Sequence, residues 1–349
     1  MLDKTTNKPA EDFEYCRTVI EKCRSEAAKR IIGQTQVIDG ILTALIADGH
    51  ILLEGVPGLA KTLAVKTFAD MSGFAFKRIQ FTPDLLPADI TGTLIYEQAA
   101  SRFSVRKGPV FTNLLLADEI NRSPAKVQSA LLEAMGEYQV TIGEESFELP
   151  KPFFVMATQN PIDQEGTYNL PEAELDRFLL KILLTYPSGE EEQRIIKGGG
   201  RIETIPVNRV FDAQKLDFCR SLLEAVTCTD DILRYIVSIV HVTRPDKDKK
   251  SAGVHNAAGF TGTSNLNRSR TDILKYLAFG ASPRASIALS RCAKVRALFA
   301  GRSFVLPEDV KAAAPEVLRH RLILSYEAAA DNVSADELIE KILSLMPVP

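Results

Sequence analysis

The segment from residue 55 to residue 62 combines glycines with a lysine and a threonine, in the order Gly55-Val56-Pro57-Gly58-Leu59-Ala60-Lys61-Thr62. This spacing matches the phosphate-binding pattern G-x-x-x-x-G-K-[ST], except that Ala60 stands where the second glycine is expected. In such a loop, backbone N–H groups surround the phosphates, the lysine contacts the β- and γ-phosphates, and the hydroxyl binds Mg²⁺. Residues 55–62 are therefore predicted to bind ATP or ADP, with Thr62 as a ligand of Mg²⁺. An ordinary glycine-rich turn is the alternative interpretation.

Two adjacent carboxylates follow a second apolar run, Leu114-Leu115-Leu116-Ala117-Asp118-Glu119. An aspartate at the carboxyl end of a strand is placed to hold Mg²⁺ through water. The glutamate after it is placed to polarise an attacking water molecule. Such a pair is common by itself, but its combination with a phosphate loop indicates hydrolysis of ATP to ADP and phosphate. We expect Asp118 to be a metal ligand and Glu119 to be catalytic.

The elements that must position these groups are short apolar runs that alternate with helical patterns. Runs at 50–54, 74–81, 114–118, 153–157 and 178–184 are typical of a mostly parallel five-stranded sheet. Helical spacing at 61–71 and 124–135 lies between them, which predicts a three-layer α/β fold. Residues 91–107 and 138–150 alternate around turns and are predicted to be β-hairpin inserts. We assign residues 1–187 to this nucleotide-binding domain.

After Pro187 the pattern becomes helical throughout, so a second, all-helical domain is predicted at 188–349. The polar tract 244–270 within it is predicted to be a mobile loop.

Composition excludes several classes of protein. The net charge of −3 argues against a nucleic-acid partner, and no apolar run is long enough to predict insertion into a membrane. The amino-terminal residues are polar and lack a secretory core. The five cysteines form no C-x-x-C pair, which is typical of reduced thiols in a cytoplasmic protein.

Beyond the two nucleotide motifs, several stretches make the chain resemble the AAA+ ATPases, and within them the MoxR family. The resemblance runs from about residue 25 to 330. The matching stretches are residues 49–62, 118–122, 128–135, 157–161, 175–178, 280–285 and 320–321. Because this family usually carries an alanine at the position of Ala60, the departure from the general pattern supports the resemblance.

The resemblance adds roles that spacing cannot assign. It implies that Asn160 is the sensor 1 residue near the γ-phosphate and that Arg177 is an arginine finger which reaches the nucleotide of a neighbouring subunit. It also implies that Arg284 is the sensor 2 residue of the lid, acting in cis or in trans, and that Ile32 and Gly33 pack on the adenine. Taken alone, Asn160 before a proline is also typical of a turn, and the two arginines of a protein surface.

The resemblance also implies a ring of identical subunits, expected to be a hexamer, that remodels or activates protein partners. In the relatives such partners often include proteins with a von Willebrand factor A domain. On the first hairpin, Tyr96, Arg102, Phe103 and Arg106 are candidate contacts to such a partner. A nucleic-acid-dependent motor is the alternative, which the acidic charge balance disfavours.

Overall fold

The computed structural model describes residues 9–55, 61–99, 101–161, 168, 170–197, 202–244 and 273–349. Two sequence predictions fall outside these ranges: the phosphate contacts of loop residues 56–60, and nearly all of the polar tract 244–270.

Two compact units contain the described residues. The first comprises residues 15–221, and the second comprises residues 9–14 and 222–349. Residues 188–221 thus group with the nucleotide-binding sheet, and the domain boundary expected after residue 187 remains a prediction.

A five-stranded parallel sheet forms the centre of the first unit and confirms the predicted α/β fold. Its strands follow the five apolar runs of the sequence, and the central ones are buried on both faces because helices cover them. In spatial order they are β2 (Phe76–Gln80), β5 (Leu114–Asp118), β8 (Phe154–Gln159), β1 (Ile51–Glu54) and β9 (Leu180–Leu183). Strand β2 lies at an edge, and of its five residues only Ile79 is buried.

Eight helices of the described chain begin before residue 221 and lie wholly or mostly in this unit. They are α1 (Ala10–Ala27), α2 (Thr35–Ile46), α3 (Lys61–Ser72), α4 (Pro87–Thr91), α5 (Ala125–Glu137), α6 (Glu172–Leu175), α7 (Gly189–Lys197) and α8 (Ala213–Ala225). At the start of α7, Ser188 and Glu191 form a reciprocal cap, since each side chain accepts the backbone N–H of the other. Hydrogen bonds from the backbone N–H and from the side chain of Ser188 lower the pKa of the Glu191 carboxyl group.

Both predicted hairpins are present. Strands β3 (Gly92–Glu97) and β4 (Arg102–Lys107) form the first, and β6 (Gln139–Ile142) and β7 (Glu145–Glu148) form the second. Val140 and Ile142 of the second hairpin are buried in the core cluster beneath the sheet. A Cβ at Gly143 would lie 2.7 Å from Cδ1 of Leu94, so the turn of the second hairpin supports the base of the first.

The second unit is mainly helical, as predicted. Its helices are α9 (Asp230–Val242), α10 (Pro283–Phe299), α11 (Pro307–Leu318), α12 (Tyr326–Ala330) and α13 (Ala335–Leu345). It also contains a short antiparallel pair, β10 (Leu277–Phe279) and β11 (Ile323–Leu324), which helical periodicity did not predict. Of the helices in the described ranges, none combines the length and the apolar character needed to cross a bilayer.

A buried histidine joins β1 to its surroundings. His50 Nδ1 accepts the N–H of Val155 at 3.1 Å, and its Nε2 lies 3.2 Å from the carbonyl oxygen of Met135 at the end of α5. Both contacts are satisfied only by the neutral ring with its proton on Nε2. Burial lowers the pKa of His50 to about 4.

We predict that His50 makes folding depend on pH between about 4 and 6.5. In this window the unfolded chain binds the proton and the folded chain does not, so the free energy of unfolding falls as the pH falls. The full loss is about 3 kcal/mol. His50→Gln should flatten this part of the pH profile measured by urea unfolding. His241→Gln, at an exposed site, is the control and should leave the profile unchanged; equal slopes in all three proteins would contradict the assignment.

Candidate functional site

The carboxyl ends of β5, β8 and β1 lie side by side. The register pairs Glu54 with Gln159 and Ala117 with Ala157, so the residues that follow each strand emerge at one edge of the sheet. In open α/β sheets, ligands bind at this edge. Gly55 and Lys61, which flank the predicted phosphate loop, and the acidic pair therefore lie at this edge.

Lys61 is the first residue of α3 and points back to the end of β1. Its Nζ donates a hydrogen bond to the carbonyl oxygen of Gly55 at 2.5 Å. Burial lowers the pKa of Lys61, and the negative charges of Asp118, Glu119 and Glu54 oppose this shift. The ammonium group consequently lies within the field of the acidic pair.

Gly55 needs to be a glycine because β9 passes close to it. A Cβ at this position would lie 2.7 Å from the Cβ of Leu184. Residues 56–60 of the loop lie outside the described chain, so their contacts with phosphate remain a prediction.

Asp118 is held through both carboxylate oxygens. The hydroxyl of Thr158 on β8 donates to Oδ1 at 2.6 Å. Arg78 on β2 donates to Oδ2 from Nη2 at 2.6 Å and from Nε at 3.2 Å. Asp118 therefore lies between two neighbouring strands that fix its orientation.

Glu119 adopts a left-handed backbone, with φ 56° and ψ 51°. A non-glycine residue in this region carries conformational strain, which persists where the surroundings over-determine it. The N–H of Glu119 donates to Thr158 Oγ1 at 2.8 Å, and its Oε2 accepts from Gln80 Nε2 and Arg122 Nη1, both at 3.1 Å. The strained backbone and these contacts turn the carboxylate toward the edge of the sheet.

Sequence reasoning missed four residues of this group, namely Arg78, Gln80, Arg122 and Thr158. The available signal was weak: Arg78 and Gln80 are polar residues at alternate positions of a short strand. The pairing of β2 with β5 places Arg78 beside Leu116 and Gln80 beside Asp118. This pairing, which the sequence does not predict, brings the two polar residues to the acidic pair.

Asn160 follows β8 at the same edge. Its carbonyl oxygen accepts a hydrogen bond from Nδ2 of the buried Asn121 at 3.2 Å. The structure thus brings Asn160 to the ends of the central strands, whereas a contact between its side chain and phosphate remains a prediction.

The hydrogen bond of Arg177 leads to helix α5 and not to the group around Asp118. Its Nη1 donates to the carbonyl oxygen of Leu132 in α5 at 3.0 Å, and a Cβ at Gly136 would lie 2.0 Å from the same nitrogen. Among the described residues the ion pairs found do not include Arg177. The guanidinium is therefore a cation that rests on the end of a helix.

The three remaining predicted residues lie in different units: Ile32 and Gly33 in the first, Arg284 in the second. Gly33 has φ +78°, and a Cβ there would lie 2.4 Å from Cδ of Glu191. Ile32 and Gly33 line a pocket of about 460 Å³ in the first unit, together with Arg24 and Glu191. Arg284 is exposed near the start of α10 in the second unit, where its N–H donates to Ser282 Oγ, and its role remains a prediction.

The donors at the strand ends suit Mg²⁺. The hydroxyl of Thr62 and the carboxylate of Asp118 are hard oxygen ligands, and Mg²⁺ at nucleotide sites uses only one or two protein ligands besides phosphate and water. Within the described ranges, clusters of three or more His, Cys, Asp or Glu side chains that could hold a metal are absent. This sparse donor set fits a nucleotide-bound cation.

Comparisons with known proteins agree with this site. The family model described as "ATPase family associated with various cellular activities (AAA)" matches residues 50–180, and the AAA lid domain model matches residues 269–342. A crystal structure from Cytophaga hutchinsonii superposes with a TM-score of 0.84 at 44% identity and covers 97% of both chains.

Two relatives are similar along most of their length. Chaperone MoxR1 of Mycobacterium tuberculosis is 45% identical over 95% of this chain and 82% of its own. Protein MoxR of Methylorubrum extorquens is 30% identical over 95% of this chain and 96% of its own. Because the phosphate loop, the acidic pair and the lid all fall within these matches, the chain belongs to the MoxR family of AAA+ ATPases.

Proposed function

We propose that this protein is a Mg²⁺-dependent ATPase that converts ATP to ADP and phosphate and uses the cycle to remodel or activate partner proteins. The observation that carries the proposal is the pair Asp118 and Glu119, held at the sheet edge beside Lys61. The chaperone named among its relatives supports the remodelling role. We also propose a cytoplasmic location, on the basis of its thiol content.

The residues divide the chemistry among them. The backbone of residues 55–60 and the ammonium of Lys61 bind the phosphates, and Thr62 and Asp118 hold Mg²⁺, which supplies positive charge against the phosphate oxygens. Glu119 accepts the proton of the attacking water. Asn160, at the end of the neighbouring strand, orients the same water or the γ-phosphate.

Glu119→Gln should separate binding from hydrolysis. The amide keeps the shape of the side chain but accepts no proton, so ATP affinity should be unchanged while phosphate release slows by about 10²- to 10⁴-fold. Titration calorimetry and a phosphate-release assay measure the two. Glu133→Gln, an exposed glutamate on α5, is the matched control. Normal turnover in Glu119→Gln would remove Glu119 from its role.

We infer further that the active form is a ring, expected to be a hexamer, in which Arg177 serves the neighbouring subunit. Two observations support this: its guanidinium donates to a backbone carbonyl group of α5, and the ion pairs of the described residues do not include it. A cation in this condition is suited to the phosphate oxygens of another chain. We propose that Arg284 is the lid residue that senses the same phosphates.

Complementation between two inactive variants tests the exchange of Arg177. Arg177→Ala subunits keep a complete site but supply no finger, and Glu119→Gln subunits supply a finger but hydrolyse slowly. Each alone should lose about 10³-fold in turnover, and mixing them should restore activity in proportion to mixed interfaces. If the mixture stays inactive while both variants bind ATP and assemble, Arg177 does not act in trans.

The first hairpin is the surface that we propose for a protein partner, including von Willebrand factor A domains. Tyr96 and Phe103 are cross-strand neighbours with ring centroids 5.2 Å apart and remain 51% and 67% exposed at its tip. Exposed aromatic pairs of this kind are typical of interaction sites. Arg102 and Arg106 on the other face add positive charge that suits an acidic partner.

Replacing both aromatic residues by serine tests this surface. In a Glu119→Gln background with ATP, the Tyr96→Ser/Phe103→Ser protein should capture several-fold less of the proteins that the parent captures. Its affinity for ATP should be unchanged. Tyr326→Ser, an exposed tyrosine outside the hairpin, should capture the parent amount. Unchanged capture by the hairpin variant would contradict the proposal. If DNA stimulates hydrolysis by the protein with Glu119 intact, and the Tyr96→Ser/Phe103→Ser change in that protein abolishes the stimulation, the nucleic-acid motor would be favoured instead.

A further inference from the structure

Arg78 contacts the carboxylate of Asp118, which we propose as a ligand of the metal. Its Nη2 and Nε lie 2.6 Å and 3.2 Å from Oδ2 of Asp118, and the two groups form an ion pair. Arg78 comes from the edge strand β2, which contains no residue of the phosphate loop and neither of the two acidic residues. The contact therefore adds a residue to those that the two nucleotide motifs supply.

Gln80 holds the guanidinium in this position. Arg78 Nη2 donates to Gln80 Oε1 at 2.7 Å, while Gln80 Nε2 donates to Glu119 Oε2 at 3.1 Å. The amide oxygen faces the arginine and the amide nitrogen faces the glutamate, so both ends of Gln80 are used. Arg78 is consequently fixed over Asp118 by a neighbour on its own strand.

Asp118 has little capacity left for a further partner. Its Oδ1 accepts from the hydroxyl of Thr158, and its Oδ2 accepts two N–H groups of Arg78. A carboxylate offers about four lone-pair sites. A dication or its bound water that approaches Oδ2 meets the positive charge of Arg78 in the same place, and the two cations repel each other.

The guanidinium can leave at low cost. The side chain of Arg78 is 47% exposed, whereas that of Asp118 is 15% exposed. An ion pair with one partner this exposed contributes little to stability, and the departing arginine regains hydration and rotamer freedom. A dication, with twice the charge, is the stronger partner for the carboxylate.

We propose that Arg78 is a positioning residue that competes with the divalent cation for Oδ2 of Asp118 and so sets the metal affinity of the nucleotide site. Arg78 balances the charge of Asp118 and swings outward when the cation is bound. The inference rests on the proposed role of Asp118 as a metal ligand.

The test measures binding of Mn²⁺ in the presence of saturating ADP, by the electron paramagnetic resonance signal of free Mn²⁺. This readout does not depend on hydrolysis. Arg78→Ala should lower the Kd of Mn²⁺ by about 2- to 5-fold, which corresponds to the removal of a competing interaction of roughly 0.4 to 1 kcal/mol. Arg78→Lys, which keeps the charge without the forked contact, should produce a smaller decrease.

Arg122→Ala is the matched control. Arg122 has the same charge and is 46% exposed, but it contacts Glu119 and not Asp118, so its removal should lower the Kd of Mn²⁺ less than the removal of Arg78 does. An equal decrease in both variants would mean a general effect of charge and would overturn the proposal. An unchanged or increased Kd in Arg78→Ala would overturn it as well.

Asp118→Asn separates this proposal from the one on which it rests. If Asp118→Asn weakens Mn²⁺ binding while Arg78→Ala fails to strengthen it, only the competition is wrong. If Asp118→Asn leaves Mn²⁺ binding unchanged, the assignment of the metal to Asp118 is itself wrong. Thermal unfolding of each variant checks that the fold is retained.

Discussion

The hydroxyl of Thr158 on β8 accepts the backbone N–H of Glu119 and donates to the carboxylate of Asp118. One side chain thereby fixes both acids of β5 relative to the next strand. The arrangement exists only because β5 and β8 are adjacent and parallel, so that their carboxyl ends coincide. The strained backbone at Glu119 is stabilised by this contact, and the direction of its carboxylate follows from it. The chemistry proposed for the site depends on that single bridging hydroxyl.

Three cationic side chains from different elements balance the negative charge of the acidic pair. Lys61 lies at the end of the phosphate loop, Arg78 on the edge strand, and Arg122 in the turn that follows the pair. The lysine is partly buried, whereas both arginines are about half exposed. Exposed guanidinium groups exchange partners readily because water stabilises them when they leave. A site built in this way can accept nucleotide and metal by rearranging surface side chains, without disturbing the sheet.

The end of helix α5 connects the sheet to the proposed finger. Its carbonyl groups at Leu132 and Met135 accept hydrogen bonds from Arg177 and from the neutral His50. Carbonyl groups at the carboxyl end of a helix carry partial negative charge and favour donors there. The buried histidine ties this turn to β1 and β8, so Arg177 rests on a support that is joined to the central strands. Such a rigid connection suits a residue whose role lies in another subunit.

The sequence by itself determined the chemistry and the local elements. The loop 55–62 and the pair Asp118–Glu119 indicated a nucleotide site, and the apolar runs indicated five buried strands, because spacing and periodicity are properties of neighbouring residues. Both hairpins and most helices followed from the same local signals. The resemblance to a family added Asn160, Arg177 and Arg284, whose roles spacing could not supply.

Only the tertiary structure decided which strands are neighbours. It placed β2 beside β5, which brought Arg78 and Gln80 to the acidic pair, and it paired β10 with β11 inside a helical unit. It also set the left-handed backbone of Glu119 and the hydrogen bond that Arg177 donates to α5. The physical reason is that sheet order and register arise from contacts between distant parts of the chain, which no local pattern records. The sequence thus indicated the groups that we propose to react, and the fold showed which groups hold them in place.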